Sequence, residues 1–116
     1  MNARTSGLLA RQWQSYANAH SNRTNLVVHA LTVPLFMAGT LALPLAAVFG
    51  PLLAASGLFA MILAVAAQGR GHRREAARPV PFRGPIDTIF RLFLEQWVTF
   101  PRYVLSGRFF RALDGR

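Results

Sequence analysis

Cysteine is absent from this chain. Disulfide frameworks, zinc knuckles and thiol nucleophiles are therefore excluded, and any bound metal has to be held by histidine and carboxylate. Acidic residues are scarce, four against thirteen basic ones, and the formal net charge is +9. The basic residues are all arginine. Charge of either sign is missing from one long stretch, since no Asp, Glu, Lys or Arg stands between Arg23 and Arg70. A soluble globule of 116 residues would spread its apolar positions periodically along the chain. This uncharged run instead accommodates two passes of a bilayer at roughly 20 residues each.

The arginines flank that run. Arg4, Arg11 and Arg23 precede it, and Arg70, Arg73, Arg74, Arg78 and others lie beyond it. Arginine on both sides of apolar spans is the positive-inside pattern, which places both termini in the cytoplasm. It also makes membrane lipids with anionic headgroups the expected partners, with no nucleic acid. A signal peptide does not fit, because the apolar region starts late and runs too long.

The chain reads as a single all-α domain, 1–116: an integral membrane helical hairpin with flanking amphipathic interfacial helices. In the first helix, 6–20, Leu9, Trp13, Tyr16 and His20 share one side. Polar residues Ser21 to Asn25 break the pattern and can cap the next helix. The first span is 26–49, with Pro34 and Pro44 expected to kink it. Gly50-Pro51 signals a turn, and the second span is 52–67. Its Ala54, Ala55, Ser56, Gly57, Ala60 and Ala64 let two helix backbones approach closely, within the chain or in a homo-oligomer. After an arginine-rich stretch and a Pro/Gly connector, a last helix spans 85–100, beginning at Pro85. Ile86, Ile89, Phe90, Phe93, Leu94 and Trp97 give it an apolar face. Asp87, Arg91 and Glu95 form a charged ladder opposite, which suits a helix lying on the membrane. Pro101 is expected to bend or end it, leaving 102–116 as a basic tail.

The three histidines are the informative residues. His29 lies 21 residues before Gly50, and His72 lies 21 residues after Pro51. At about 1.5 Å per residue both stand roughly 30 Å from the turn, which is the thickness of the hydrocarbon core. The hairpin therefore returns His72 to the depth of His29, and His20 is a short link away. Each has a polar companion four residues earlier: Tyr16, Asn25 and Gln68. Glu75 comes three residues after His72. Such spacings stack side chains on one helix face and suit groups that orient metal-binding imidazoles. Imidazoles without thiolate fit non-haem Fe(II), Zn(II) or Mn(II), and do not by themselves name a reaction. A non-enzymatic scaffold or lipid-binding protein, with histidines touching headgroups, is the other class of reading; a haem protein is a third.

The pattern Tyr16-x3-His20-x4-Asn25-x3-His29-x4-Pro34-Leu35, then Gln68-x2-Gly71-His72 and Glu75-x3-Pro79, resembles the 2-hydroxy fatty acid dioxygenases of fatty-acid alpha-oxidation. Pro81 to Pro85 and Glu95-Gln96 resemble the shorter bacterial members of that family. Thr32, where members commonly carry glycine, and the spacing of Glu75 from His72 depart from the family pattern. The resemblance implies a membrane oxidoreductase, in the bacterial inner membrane, that uses Fe(2+) and O2 to shorten a 2-hydroxy fatty acid by one carbon. It implies iron ligands His20, His29 and His72. Tyr16, Asn25, Gln68 and Glu75 are then catalytic-site residues that orient the ligands or the substrate. Arg73 and Arg74, beside His72, are expected to attract the substrate carboxylate.

Overall fold

The computed structural model describes residues 3–78 and 80–115, and every regular element among them is helical. Helix α1 is Ala3–Ala19, α2 is Arg23–Phe49 and α3 is Pro51–His72. After the connector come α4, Pro85–Leu94, a five-residue π-helical turn, Glu95–Thr99, then α5, Phe100–Leu105, and α6, Arg108–Leu113.

Two elements dominate. With 27 and 22 residues, α2 and α3 are about 40 and 33 Å long, enough for either to cross the hydrocarbon layer. They pack as an antiparallel hairpin. At their closest approach Gly39 faces Gly57: a Cβ on either would stand 2.6 Å from the other's carbonyl oxygen. Only hydrogen fits there, so Gly57 of the second span is used within the chain. Gly50 turns the hairpin at φ 104°, a conformation that disfavours any Cβ. Asn22 caps α2, its side-chain oxygen accepting the Asn25 N–H at 3.2 Å. Helix α2 passes unbroken through Pro34 and Pro44.

The outward faces of the hairpin are apolar and uncovered. Val48 and Leu52, on either side of the turn, are 79 % and 80 % exposed, and Leu31, Phe59 and Ile62 are also exposed. The core sits at the other end, where Tyr16, Leu26, Val33, Phe100, Tyr103 and Phe109 cluster. That arrangement gathers α1, the start of α2 and the C-terminal helices around the open ends of the hairpin.

The C-terminal part narrows one expectation and corrects others. Pro101 does not end the helix, because the Phe100 N–H bonds the Glu95 carbonyl, one residue beyond the α register. This wider turn lets the chain run on through the proline ring. The stretch from Arg102 onward is no tail but folds as α5 and α6. Tyr103 and Phe109 are buried in the core, and the guanidinium groups of Arg102 and Arg108 stand 4.0 and 4.7 Å from the Trp13 ring centre. The charged ladder of α4 is half formed. Arg91 pairs with Asp87 at 3.4 Å, whereas Glu95 turns toward the histidines.

Candidate metal centre

Four elements each deliver one side chain to a single point. His20 stands directly after the last residue of α1, His29 lies in the second turn of α2, His72 ends α3, and Glu95 opens the π-helical turn. One ligating atom from each of the four lies within 4.8 Å of the others. The three imidazole centres are 4.6 to 5.0 Å apart, with planes nearly perpendicular.

The hydrogen bonds fix which nitrogens converge. His20 Nδ1 lies 2.9 Å from the Tyr16 carbonyl, and His29 Nδ1 lies 3.0 Å from the Asn25 carbonyl. A carbonyl only accepts, so both Nδ1 atoms carry a proton, and in the neutral rings both Nε2 atoms present lone pairs. Those lone pairs point at a carboxylate: His20 Nε2 is 3.1 Å and His29 Nε2 3.4 Å from the same Glu95 oxygen. His29 Nε2 and His72 Nδ1 are buried without a hydrogen-bond partner. Buried lone pairs facing an anionic oxygen repel unless a proton or a metal ion lies between them. A metal ion satisfies all of them, and three nitrogens with one oxygen form a donor set suited to a divalent transition metal. The residues therefore fit a metal.

The family model described as "2-hydroxy-palmitic acid dioxygenase Mpo1-like" matches residues 7–104. The chain belongs to the Mpo1-like family. No curated protein and no solved structure matches it.

In this Mpo1-like chain the residues around the cluster divide into those that touch it and those that hold its carriers together. Tyr16 touches it. Its ring stacks on His20 at 3.6 Å, and its hydroxyl donates to Glu95 at 3.3 Å. Burial and the neighbouring Glu95 charge push the phenol well above its ordinary range, so it stays protonated. Burial works against the charge of Glu95, but where protons stand in place of a metal, N–H donation and positive charge from His20 and His29 hold its carboxyl well below the usual range.

Glu75 stands apart from the four. It accepts the backbone N–H groups of Ser21 at 3.0 Å and Asn22 at 2.9 Å, the Ser21 hydroxyl at 3.1 Å and the Asn25 amide at 2.7 Å. Burial opposes its charge, but these donors hold it below the ordinary carboxylate range. It thus ties the link between His20 and His29 to the end of α3, at the positive N-terminus of α2. Asn25 is part of that tie, and its side-chain Oδ1 fills the space that a Gly71 side chain would need.

Gln68 bonds Gln96 reciprocally, at 3.0 and 2.7 Å, and donates to the Thr32 hydroxyl at 3.0 Å. The amide pair fastens α3 to the π-helical turn next to Glu95. Thr32, which departs from the family pattern, thus has a defined partner. Gln12 adds a second strap: it donates to the Arg91 carbonyl at 3.0 Å and accepts from Thr99 at 2.8 Å.

A cleft of about 1490 Å³ opens over the cluster, with Tyr16, His20, His72 and Glu95 in its wall. Arg11, Arg73, Arg78 and Arg83 line it. Arg74 is exposed and lies outside this lining. Sequence reasoning brought the three histidines together but missed Glu95, Gln96, Gln12 and Thr99 as parts of the site. The available signal was Glu95-Gln96 in the family resemblance, and the spacing of Glu95 from Arg91 outweighed it.

Proposed function

We propose that this protein is an Fe(II)-dependent dioxygenase that shortens a 2-hydroxy fatty acid by one carbon at the membrane surface. The observation that carries the reading is the convergence of His20, His29, His72 and Glu95 in a cleft lined with arginines, in a member of a family described as acting on 2-hydroxy-palmitic acid. The three imidazoles and Glu95 would hold the ion. Iron supplies the one-electron chemistry with molecular oxygen that cleavage of the bond between the first two carbons requires.

The chain's own residues then have distinct tasks. The Tyr16 hydroxyl donates to Glu95 Oε1 while its ring packs flat on His20, fixing the orientation of both. Glu75, Asn25 and Gln68 are positioning residues, since they hold the carriers of the ligands and not the ligands themselves. Arg73 in the cleft wall offers charge to the substrate carboxylate, and the exposed Arg74 adds to the positive field around it. The uncovered apolar hairpin suits insertion in a bilayer, with both arginine-rich flanks on the cytoplasmic side and the site at that interface.

The test is metal content and turnover together. Detergent-purified protein, loaded anaerobically with Fe(II), should hold about one iron per chain, as expected of a single four-donor site. Under oxygen it should convert 2-hydroxy-palmitic acid to the acid one carbon shorter, and His29→Ala should lose both properties. Iron that fails to bind, or bound iron with an unchanged 2-hydroxy acid, would end this reading.

A further inference from the structure

Helix α3 contains three glycines, and packing accounts for two of them. Gly57 meets the backbone of Gly39, and Gly71 meets the side chain of Asn25. Gly69 meets nothing: a Cβ built there has no neighbour within 4 Å. Glycine is disfavoured inside a helix, and no contact of the fold compensates for it here. The empty space belongs to the cleft, which Gly69 lines together with Val65 one turn earlier and His72 one turn later. Leu92, one turn before Glu95 on α4, faces the same space.

Depth adds a direction. Gly69 and Val65 stand 18 and 14 residues beyond Pro51, about 27 and 21 Å from the turn. Both therefore lie inside a hydrocarbon layer of about 30 Å, while His72 is at its edge. Arginines, the histidine cluster and the apolar Val65 and Leu92 line this one cleft, and Val65 is the deepest of its residues on α3. A molecule with an acidic head and a long alkyl tail matches that order of surroundings.

We propose that the slot between Gly69, Val65 and Leu92 receives the alkyl chain of the substrate beside its reacting carbons. Gly69 is then the residue that gives a long chain room to pass. The inference rests on the dioxygenase reading for the identity of the amphiphile, and names the wall of the cleft that selects it. A Cβ at position 69 meets nothing, so a larger side chain there extends into the slot and not into the interface between α2 and α3.

The chain has no cysteine, so Gly69→Cys introduces a unique thiol. N-ethylmaleimide labelling of this variant in detergent should slow roughly tenfold when 2-hydroxy-palmitic acid is present at about ten times its dissociation constant. 2-Hydroxybutyric acid, whose chain is too short to reach the slot, should leave labelling unchanged. Gly7→Cys, on an equally open glycine outside the cleft, should be indifferent to both acids. In parallel, Gly69→Leu should keep its iron but raise KM for the long-chain acid by about tenfold or more. Labelling of Gly69→Cys that the long-chain acid does not slow, in a protein that still turns it over, would overturn the slot and leave the dioxygenase intact. Protection of the Gly69→Cys thiol by the long-chain acid, together with a parent chain that forms no product, would keep the slot and remove the dioxygenase.

Discussion

Glu75→Ala tests whether the metal centre is built by its ligands alone or by the tie behind them. The carboxylate gathers donors from Ser21, Asn22 and Asn25, and Asn25 is fully buried. Ser21 is exposed, so water replaces the carboxylate there at little cost. The Asn25 amide, bonded at 2.7 Å, and the Asn22 N–H lose a charged acceptor in surroundings that admit water poorly. At about 1.5–3 kcal/mol for a hydrogen bond to a charged group, and discounting Asn22 for partial exposure, the loss is roughly 2–4 kcal/mol. Part of it appears as stability. The rest appears at the site, because the link that carries His20 is no longer held to the end of α3. Metal affinity should fall by about 10–100-fold, the range for removing a group that orients ligands. The assay is a chelator-competition titration with Fe(II) under anaerobic conditions, paired with thermal unfolding of the metal-free protein in detergent. Glu75→Gln, which keeps an acceptor oxygen, should fall between parent and alanine variant in both. A Glu75→Ala protein with the parent's metal affinity and unfolding midpoint would refute the positioning role.

Glu95→Gln should weaken metal binding more than Glu75→Gln does, because it removes the anionic donor from the cluster itself; equal losses from the two would argue against Glu95 as a ligand. Glu75 also predicts a pH dependence. Its folded pKa is depressed, so its contribution to stability is fully present above about pH 4.5 and is lost as pH falls through the folded value. Unfolding midpoints of the metal-free parent should therefore drop through this acid window more steeply than those of Glu75→Gln, and parallel curves would contradict it. Gly39→Val should open the hairpin, since its Cβ would meet the Gly57 carbonyl oxygen at 2.6 Å. The expected cost is about 1–3 kcal/mol of stability, read as a lowered unfolding midpoint in detergent, and an unchanged midpoint would mean that the helices do not approach this closely.

The hairpin was legible because its signal is one of composition: a long run without charge, broken once at Gly50-Pro51, needs no knowledge of what it packs against. The level of the histidines was legible for a related reason. Equal spacings of 21 residues on either side of a turn return His29 and His72 to one height whatever the side chains between them do. The turn between α1 and α2 was readable from its capping residues, with Asn22 the one that caps. Each of these comes from a helix rise or a local hydrogen bond.

What tertiary structure alone decided concerns residues with two local explanations. Glu95 could complete a ladder with Arg91 four residues earlier, or turn toward histidines 20, 29 and 72. The Gln68–Gln96 pair, the Gln12 strap and the wider turn before Pro101 select the second. Glu75 could have been a ligand by its distance from His72, but the N–H groups at the start of α2, more than fifty residues away, claim its carboxylate. Arg102 onward looked like a tail because arginines punctuate it, and Tyr103 and Phe109 become core only where α1 and α2 provide a surface to bury them. A sequence specifies local geometry and burial tendency at each position. Which of several partners a charged or aromatic side chain finally meets depends on elements brought beside it by the whole fold.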